Sequence, residues 1–191
     1  MASDEIRKAQ EQKKRLLMLF GAYTIGKEAV YMAVAKHLGA KVYVERRRHK
    51  VLSALQWPAD QMALFTTNPQ ESMLWVVPLG HINMKKMPPY QSIRRKGFSR
   101  DYDKVIGFRP TGWSMPNPSK RKEKSIIGST HNGSLTVHSV PYSEHSSFPE
   151  LLECLETLNP RRIIPTVSAS TSQQQVDLLI TCWRDKQAKL F

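Results

Sequence analysis

"LLMLFGAYTIGKEAVYMAVAKHLGAKVYV", residues 16–44, decides the fold class of this 191-residue chain. Residues 15–20 end in an unbroken apolar run, which is typical of a strand buried on both faces. Residues 27–38 carry apolar side chains at helical spacing, and Gly39 supplies a helix stop. Residues 41–45, "KVYVE", then predict a second strand. A strand, a turn, a helix and another strand indicate a parallel α/β sheet.

The rest of the chain continues this alternation of strands and helices. Further strands are predicted at residues 73–79, 103–110, 134–140 and 161–167, and further helices at 46–55, 149–158 and 173–190. The predicted fold class is therefore α/β, with a mainly parallel sheet flanked by helices. We divide the chain into a charged, frayed leader at 1–15, an α/β region at 16–135 and a C-terminal segment at 136–191.

Charge favours a polyanionic partner. Lys and Arg number 29 against 16 Asp and Glu, so the formal net charge is +13. Such an excess is typical of proteins that bind nucleic acid or an anionic membrane surface. No apolar run approaches the roughly 20 residues that a membrane-spanning helix needs. Basic residues concentrate in 94–124, where residues 114–125 predict an exposed loop.

The turn at residues 21–28 matches only part of a nucleotide-binding motif. Gly21, Gly26 and Lys27 fit G-x-x-x-x-G-K, but Glu28 stands where a P-loop needs Ser or Thr to bind Mg²⁺. A carboxylate there repels phosphate by about a few kcal/mol, which argues against an ATPase. Two interpretations of Glu28 remain. It is either a first-turn carboxylate that the helix dipole stabilises, or an acid directed into a cleft at the carboxyl edge of the sheet.

Residues 140–167, "VPYSEHSSFPELLECLETLNPRRIIPTV", place hydroxyl groups and an imidazole on the turn between a strand and a helix. Backbone N–H groups and Ser hydroxyls at a helix N-terminus favour a bound phosphate. An imidazole such as that of His145 can serve as an acid or orient a phosphate. The alternative is a Ser capping box beside a surface His, and spacing alone leaves both interpretations open. The hydroxyl residues of the turn are Ser143, Ser146 and Ser147.

Three motifs, in this order, resemble those of the DNA cross-link repair nucleases, the SNM/Pso type in the β-CASP branch of the metallo-β-lactamase superfamily. "GAYTIGKE", residues 21–28, resembles the first β-CASP motif, whose acid would be Glu28. "FRPTGWS", residues 108–114, resembles the Pro-Thr-Gly-Trp signature of this type. "VPYSEHSSFPEL", residues 140–151, resembles the second motif, with His145 at the catalytic position.

The resemblance implies a function and a site. It implies a β-CASP domain with the C-terminal edge of a metallo-β-lactamase αββα fold. The activity would be that of a nuclear, zinc-dependent 5′-to-3′ DNA exonuclease that acts in repair of interstrand cross-links and double-strand breaks. The substrate would be single-stranded or cross-linked DNA with a 5′-phosphate end, and DNA-repair proteins are candidate partners. No membrane partner is expected.

The site residues follow from the matched motifs. Glu28 and His145 would be catalytic, and Ser143, Ser146 and Ser147 would bind the terminal phosphate. Candidates for contacts with the DNA backbone are Lys27, Arg109, Lys120, Arg121, Lys122 and Lys124. The signature residues are Thr111, Gly112 and Trp113, and Trp113 either stacks on a base or packs in the protein. Val167 falls where DNA-processing members carry Val and RNA-processing members carry His, which disfavours RNA processing.

The metal ligands of the resembled family are missing from this sequence. That family places a His-x-His-x-Asp-His cluster upstream of the matched region, and none of the six histidines of this chain forms such a cluster. We therefore expect no metal site within the chain and no nuclease activity of the chain alone, which would be a truncated product, a C-terminal fragment or half of a split protein. The alternative function is a non-catalytic module that binds DNA or a repair partner.

Overall fold

The computed structural model describes residues 2–110, 128–164 and 169–188. The chain divides into two compact units, Met1–Glu144 and His145–Phe191. The helices are α1 (Ala2–Glu11), α2 (Glu28–Leu38), α3 (Arg46–Ala54), α4 (Ala59–Met62), α5 (Phe148–Leu158) and α6 (Ala169–Ala188). The strands are β1 (Leu16–Ala22), β2 (Val42–Tyr43), β3 (Phe65–Thr66), β4 (Leu74–Pro78), β5 (Ser92–Arg95), β6 (Phe98–Asp101), β7 (Lys104–Pro110), β8 (Gly128–Asn132) and β9 (Leu135–Val140).

The first unit is built on a seven-stranded sheet in the order β3-β2-β4-β1-β7-β9-β8. Neighbouring strands run parallel from β3 to β9, and β8 pairs with β9 antiparallel. Strands β5 and β6 form a separate antiparallel hairpin. The predicted α/β class with a mainly parallel sheet is confirmed.

Strand β1 lies at the centre of the sheet and is buried along its whole length. Met18 and Phe20 pack with side chains of α2 on one face, and Leu17 and Leu19 pack with Trp75 on the other. The strand is apolar throughout because both of its faces are covered. Each fully buried side chain of this size contributes about 1.5–3 kcal/mol, so β1 anchors the unit.

Residues 79–87 pack directly on the sheet. A Cβ atom on Gly107 would lie 2.8 Å from Cγ2 of Ile82, and a Cβ atom on Gly21 would lie 2.8 Å from Cγ1 of Ile82. The side chain of Ile82 therefore sits against the backbones of two neighbouring strands, β1 and β7, and is 1% exposed. This packing holds His81 beside the carboxyl end of β4.

Four features differ from the sequence-based expectation. The leader is largely helical: Ala9 of α1 packs in the core, and Glu5 accepts a 2.6 Å hydrogen bond from Nζ of Lys104. The division expected between residues 135 and 136 falls where β9 begins, and β9 continues the first sheet by pairing with β7. In the predicted strand at 161–167, the described residues 161–164 form no strand. The polar hairpin of β5 and β6 was not predicted.

The second unit contains α5 and α6, which contact each other. A capping box starts α5: Oγ of Ser147 accepts from the backbone N–H of Glu150, and the Glu150 carboxylate accepts from the N–H of Ser147. The capping box thereby satisfies two N–H groups at this helix start. Within the described ranges, no helix is long and apolar enough to cross a membrane.

Candidate functional site

The turn from β1 to α2 has an unusual backbone. Gly26 has φ 100°, and Lys27, with φ 71° and ψ 6°, adopts the left-handed conformation. A non-glycine residue rarely occupies this region, and such strain costs about 1–3 kcal/mol. The side chain of Lys27 is nevertheless almost fully buried. A strained, buried lysine at the carboxyl edge of a parallel sheet marks this turn as a candidate site.

Two carboxylates hold the turn. The N–H of Gly26 donates to Oε1 of Glu28 at 2.8 Å, and the N–H of Lys27 donates to Oε1 of Glu144 at 2.9 Å. In a P-loop, the backbone N–H groups of such a turn would bind phosphate oxygens. Here carboxylates occupy both amides, which agrees with the rejection of an ATP-binding loop.

The side chain of Lys27 is directed at the start of the second motif. Its Nζ donates to the carbonyl oxygen of Tyr142 at 3.4 Å and lies 5.3 Å from the centroid of the Tyr142 ring, within the range of a cation–π interaction. Residues 142 and 144 thus join the first motif to the beginning of the second within the first unit. Neither contact was predicted from the sequence. Glu144 stands beside His145 in the quoted motif, but nothing in its spacing indicates a contact with Lys27.

Glu28 is a buried acid next to Tyr31 and Arg48. Burial raises the pKa of the Tyr31 hydroxyl well above its usual range; the Glu28 charge raises it further and the Arg48 charge opposes the rise. Arg48, on α3, donates to the carbonyl oxygens of Tyr23 and Thr24. The guanidinium therefore ties α3 to the turn through two acceptors that carry no net charge. Arg48 is a third residue that the sequence analysis missed.

The remaining predicted residues are distributed over both units. Ser147 has the capping role that the sequence allowed. Ser143, His145 and Ser146 are exposed; Ser143 belongs to the first unit, and His145 begins the second. Arg109 is exposed near the end of β7. Outside the described residues lie Thr111, Gly112, Trp113, Lys120, Arg121, Lys122, Lys124 and Val167.

The donor side chains of the described residues are dispersed. Within residues 2–110, 128–164 and 169–188, no three side chains of His, Cys, Asp or Glu lie close enough together to hold a metal ion. The described residues therefore do not fit a metal ion, and no catalytic step in this chain is assigned to one.

Comparison with known proteins identifies the family. Residues 59–171, more than half of the chain, match the family model described as "DNA repair metallo-beta-lactamase". The chain is 33% identical over 174 residues to the DNA cross-link repair protein SNM1 of Arabidopsis thaliana. These residues make up 91% of this chain and 34% of that protein. It is 36% identical over 172 residues to the DNA cross-link repair 1A protein of Mus musculus, which covers 89% of this chain and 16% of that protein.

A more distant relative is the 5′ exonuclease Apollo of Danio rerio, 25% identical over 166 residues, or 87% of this chain and 24% of that protein. The chain spans about a third of the length of the Arabidopsis relative and a smaller share of the other two. By its match to the family model, the chain belongs to the DNA repair metallo-beta-lactamase family.

Proposed function

We propose that this chain is part of a nuclear DNA repair nuclease, a 5′-to-3′ exonuclease that acts in repair of interstrand cross-links and double-strand breaks. The family match and the names of the relatives support a DNA repair nuclease. The structural observation that carries the proposal is the 2.9 Å hydrogen bond from Lys27 to Glu144, which joins the two motifs across 117 positions of sequence. A catalytic site built from two segments that are distant in sequence needs contacts that hold these segments together.

We assign roles to the motif residues on this basis. Glu28 is the acid of the first motif, and His145 acts on the scissile phosphate as an acid or positioning group. Ser143, Ser146 and Ser147 donate to the terminal 5′-phosphate of single-stranded or cross-linked DNA. The start of α5 at Phe148 supports this role, because the positive end of the helix dipole favours an anion. Arg109 and the basic residues at 120–124 contact the DNA backbone. Lys27 is left out of this set because its side chain is almost fully buried and its Nζ donates to the carbonyl oxygen of Tyr142.

Membership of a metallo-beta-lactamase family implies metal ions. We propose that the ion is zinc, which supplies a hydroxide nucleophile at neutral pH when bound. Because the described residues contain no metal site, we place the ligands in the part of the relatives that this chain does not span. The chain by itself would then be inactive.

A chimera tests this function. In the chimera, this chain replaces the matching stretch of the Arabidopsis relative. Digestion of a 5′-phosphorylated single strand is followed in the presence of zinc. We expect digestion by the chimera and none by the isolated chain. Zinc-dependent digestion by the isolated chain would refute the proposed inactivity, and a folded but inactive chimera would refute the nuclease assignment.

The alternative function is a non-catalytic module that binds DNA or a repair partner. The net charge of +13 favours it, since such a surface attracts a polyanion without any chemistry. The chimera separates the two functions: a module that only binds retains DNA affinity in the isolated chain and gives a chimera that does not digest DNA.

A further inference from the structure

Two adjoining cavities lie on one side of the first unit. One, of about 410 Å³, is lined by residues at the carboxyl ends of β2 and β4 together with Arg47 and Arg48 of α3. The other, of about 540 Å³, is lined by residues of the segment 85–95. His81, Tyr90 and Arg95 line both. Each volume lies within the range of about 300–1,000 Å³ that is typical of ligand sites.

The linings are strongly basic. Their positively charged residues are Arg47, Arg48, Lys85, Lys86, Arg94 and Arg95, which we call the basic track. Among the described residues of the two linings, Glu45 is the only acid. Cavities lined by one sign of charge concentrate ions of the other sign, so the basic track favours an anionic ligand with several charges.

The charges of the track are available to a ligand. Nη1 of Arg95 lies 3.7 Å from Oε1 of Glu45, and Nη2 of Arg94 lies 2.7 Å from Oδ1 of Asp101. In these pairs between about half and two-thirds of each side chain is exposed. Exposed ion pairs contribute little stability, so a phosphate can replace either carboxylate at small cost. Arg48 is positioned instead by the neutral carbonyls of Tyr23 and Thr24.

The wall shared by the two cavities is aromatic. Nδ1 of His81 lies 2.8 Å from the hydroxyl oxygen of Tyr90, which fixes the two rings relative to each other. The guanidinium carbon of Arg95 lies 5.9 Å from the ring centroid of the buried Trp75. Nucleic-acid bases stack on aromatic rings and on the planes of arginine guanidinium groups. The shared wall therefore offers planar surfaces beside the phosphate-binding charges.

We propose that the basic track and its shared wall form a binding site for a strand of single-stranded DNA. Arg47 and Arg95 bind backbone phosphates, and a base stacks on Tyr90 between the two cavities. Basic grooves with aromatic platforms bind single strands without sequence preference. The inference rests on the proposed function for the choice of DNA. It adds a subsite beside the turn at 21–28, because Thr24 and Arg48 line the first cavity.

The charge part of the proposal is tested by binding alone. The affinity of the whole 191-residue chain for a labelled oligothymidylate of about 16 nucleotides is measured by fluorescence anisotropy over a range of salt concentrations. For the double variant Arg47→Gln, Arg95→Gln we expect affinity to fall about tenfold or more. The slope of log K against log salt should fall by about 1.4, since each lost phosphate contact accounts for about 0.7 on a single strand.

The matched control removes the same charge elsewhere. Arg7 on α1 and Lys36 on α2 are exposed and belong to elements near the amino ends of the parallel strands, where Glu5 meets Lys104. Arg7→Gln, Lys36→Gln should change affinity less than twofold. Equal losses in the two double variants would show attraction by net charge only and would overturn the proposal.

The stacking part uses Tyr90. Tyr90→Phe keeps the ring and should bind normally, whereas Tyr90→Leu should lose about tenfold in affinity. That loss should vanish on an oligonucleotide with abasic sites, where no base can stack. If Tyr90→Leu fails to fold by circular dichroism, the parental chain decides the stacking part: it should bind the abasic oligonucleotide about tenfold more weakly than the intact one, and equal affinities would overturn stacking. None of these measurements involves digestion of DNA. The binding proposal can therefore be refuted while the chimera is active, and it can hold while the chimera is inactive.

Discussion

At the scale of single residues, Gly26 faces two constraints at once. Its φ of 100° disfavours any residue with a Cβ atom, and that atom would lie 2.5 Å from Oε2 of Glu144. Oε2 is at the end of a flexible side chain and can shift, but the shift disturbs the hydrogen bond that Oε1 of the same carboxylate accepts from Lys27. A hydrogen bond to a charged group contributes about 1.5–3 kcal/mol. We therefore expect Gly26→Ala to lower the free energy of unfolding by about 2–4 kcal/mol in urea titrations.

Gly39 provides the control for that measurement. It also has a positive φ, of 59°, but nothing lies within 4 Å of a Cβ atom there. Gly39→Ala should cost only the left-handed backbone strain, about 1–2 kcal/mol. In a chain that already carries Glu144→Ala, Gly26→Ala should cost less than it does alone, because the clash is gone. Strictly additive costs would contradict the contact between Gly26 and Glu144.

His138 is a buried imidazole in β9, and titratable groups on α1, β7 and β8 act on its pKa. Burial lowers its pKa below the usual 6.5. The charge of Glu5 raises this pKa, and His131 and Lys104 lower it further. Its Nδ1 lies 2.7 Å from Oγ of Ser129. A histidine whose pKa is lowered by folding binds its proton more readily in the unfolded chain. Its contribution to stability is complete above about pH 6.5 and is lost as the pH falls through that value.

The urea midpoint should therefore decrease between pH 7.5 and 5.5. His138→Phe removes the titrating group, so this decrease should shrink, whereas the exposed His37→Gln on α2 should leave it unchanged. Carboxylates with lowered pKa values, such as Asp103 beside Arg15, lose their contribution only at lower pH, near and below about 4. A decrease that survives unchanged in His138→Phe would contradict this assignment.

At the scale of elements, the start of α5 separates a structural serine from its neighbour. Ser147 caps the helix, whereas Ser146 precedes the cap and is exposed. Ser147→Ala should cost about 1 kcal/mol and speed hydrogen exchange of the amides in the first turn of α5. Ser146→Ala should leave that exchange unchanged; an equal increase in both variants would contradict the capping box.

Elements with strong apolar periodicity could be predicted from sequence, and those held by distant contacts could not. The strand–turn–helix–strand unit of β1, α2 and β2 is readable because both faces of β1 are buried. Helix α1 was not predicted because its sequence is polar and the contacts that hold it are made with distant residues. Ala9 packs in the core, and Glu5 pairs with Lys104 across 99 positions. The hairpin of β5 and β6 was missed because its exposed residues show no apolar alternation.

The candidate site shows the same limit. Glu28 was recognisable because it breaks a P-loop pattern, and the capping box at Ser147 was recognisable from its Ser-x-x-Glu spacing. Glu144 and Tyr142 meet Lys27 only after the sheet has formed and brought residues more than 110 positions apart together. No local pattern encodes such a contact, and the cavities of the basic track arise from packing in the same way.

At the scale of the whole molecule, the central claim is that the two motifs supply catalytic groups to a DNA repair nuclease. The most direct measurement is the single-turnover rate at which the chimera digests a 5′-phosphorylated single strand. Glu28→Gln and His145→Ala are compared with Glu11→Gln and His37→Ala. The side chains of Glu11, at the end of α1, and His37, near the end of α2, are exposed. Melting temperatures of all four variants are measured alongside.

We predict that Glu28→Gln and His145→Ala each slow digestion by about 10²–10⁴-fold, the range for loss of an acid or base. Their melting temperatures should stay well above the temperature of the assay, so that unfolding does not explain the slower digestion. The two control variants should digest at the parental rate. Parental rates in Glu28→Gln and His145→Ala, in folded and active chimeras, would contradict the account.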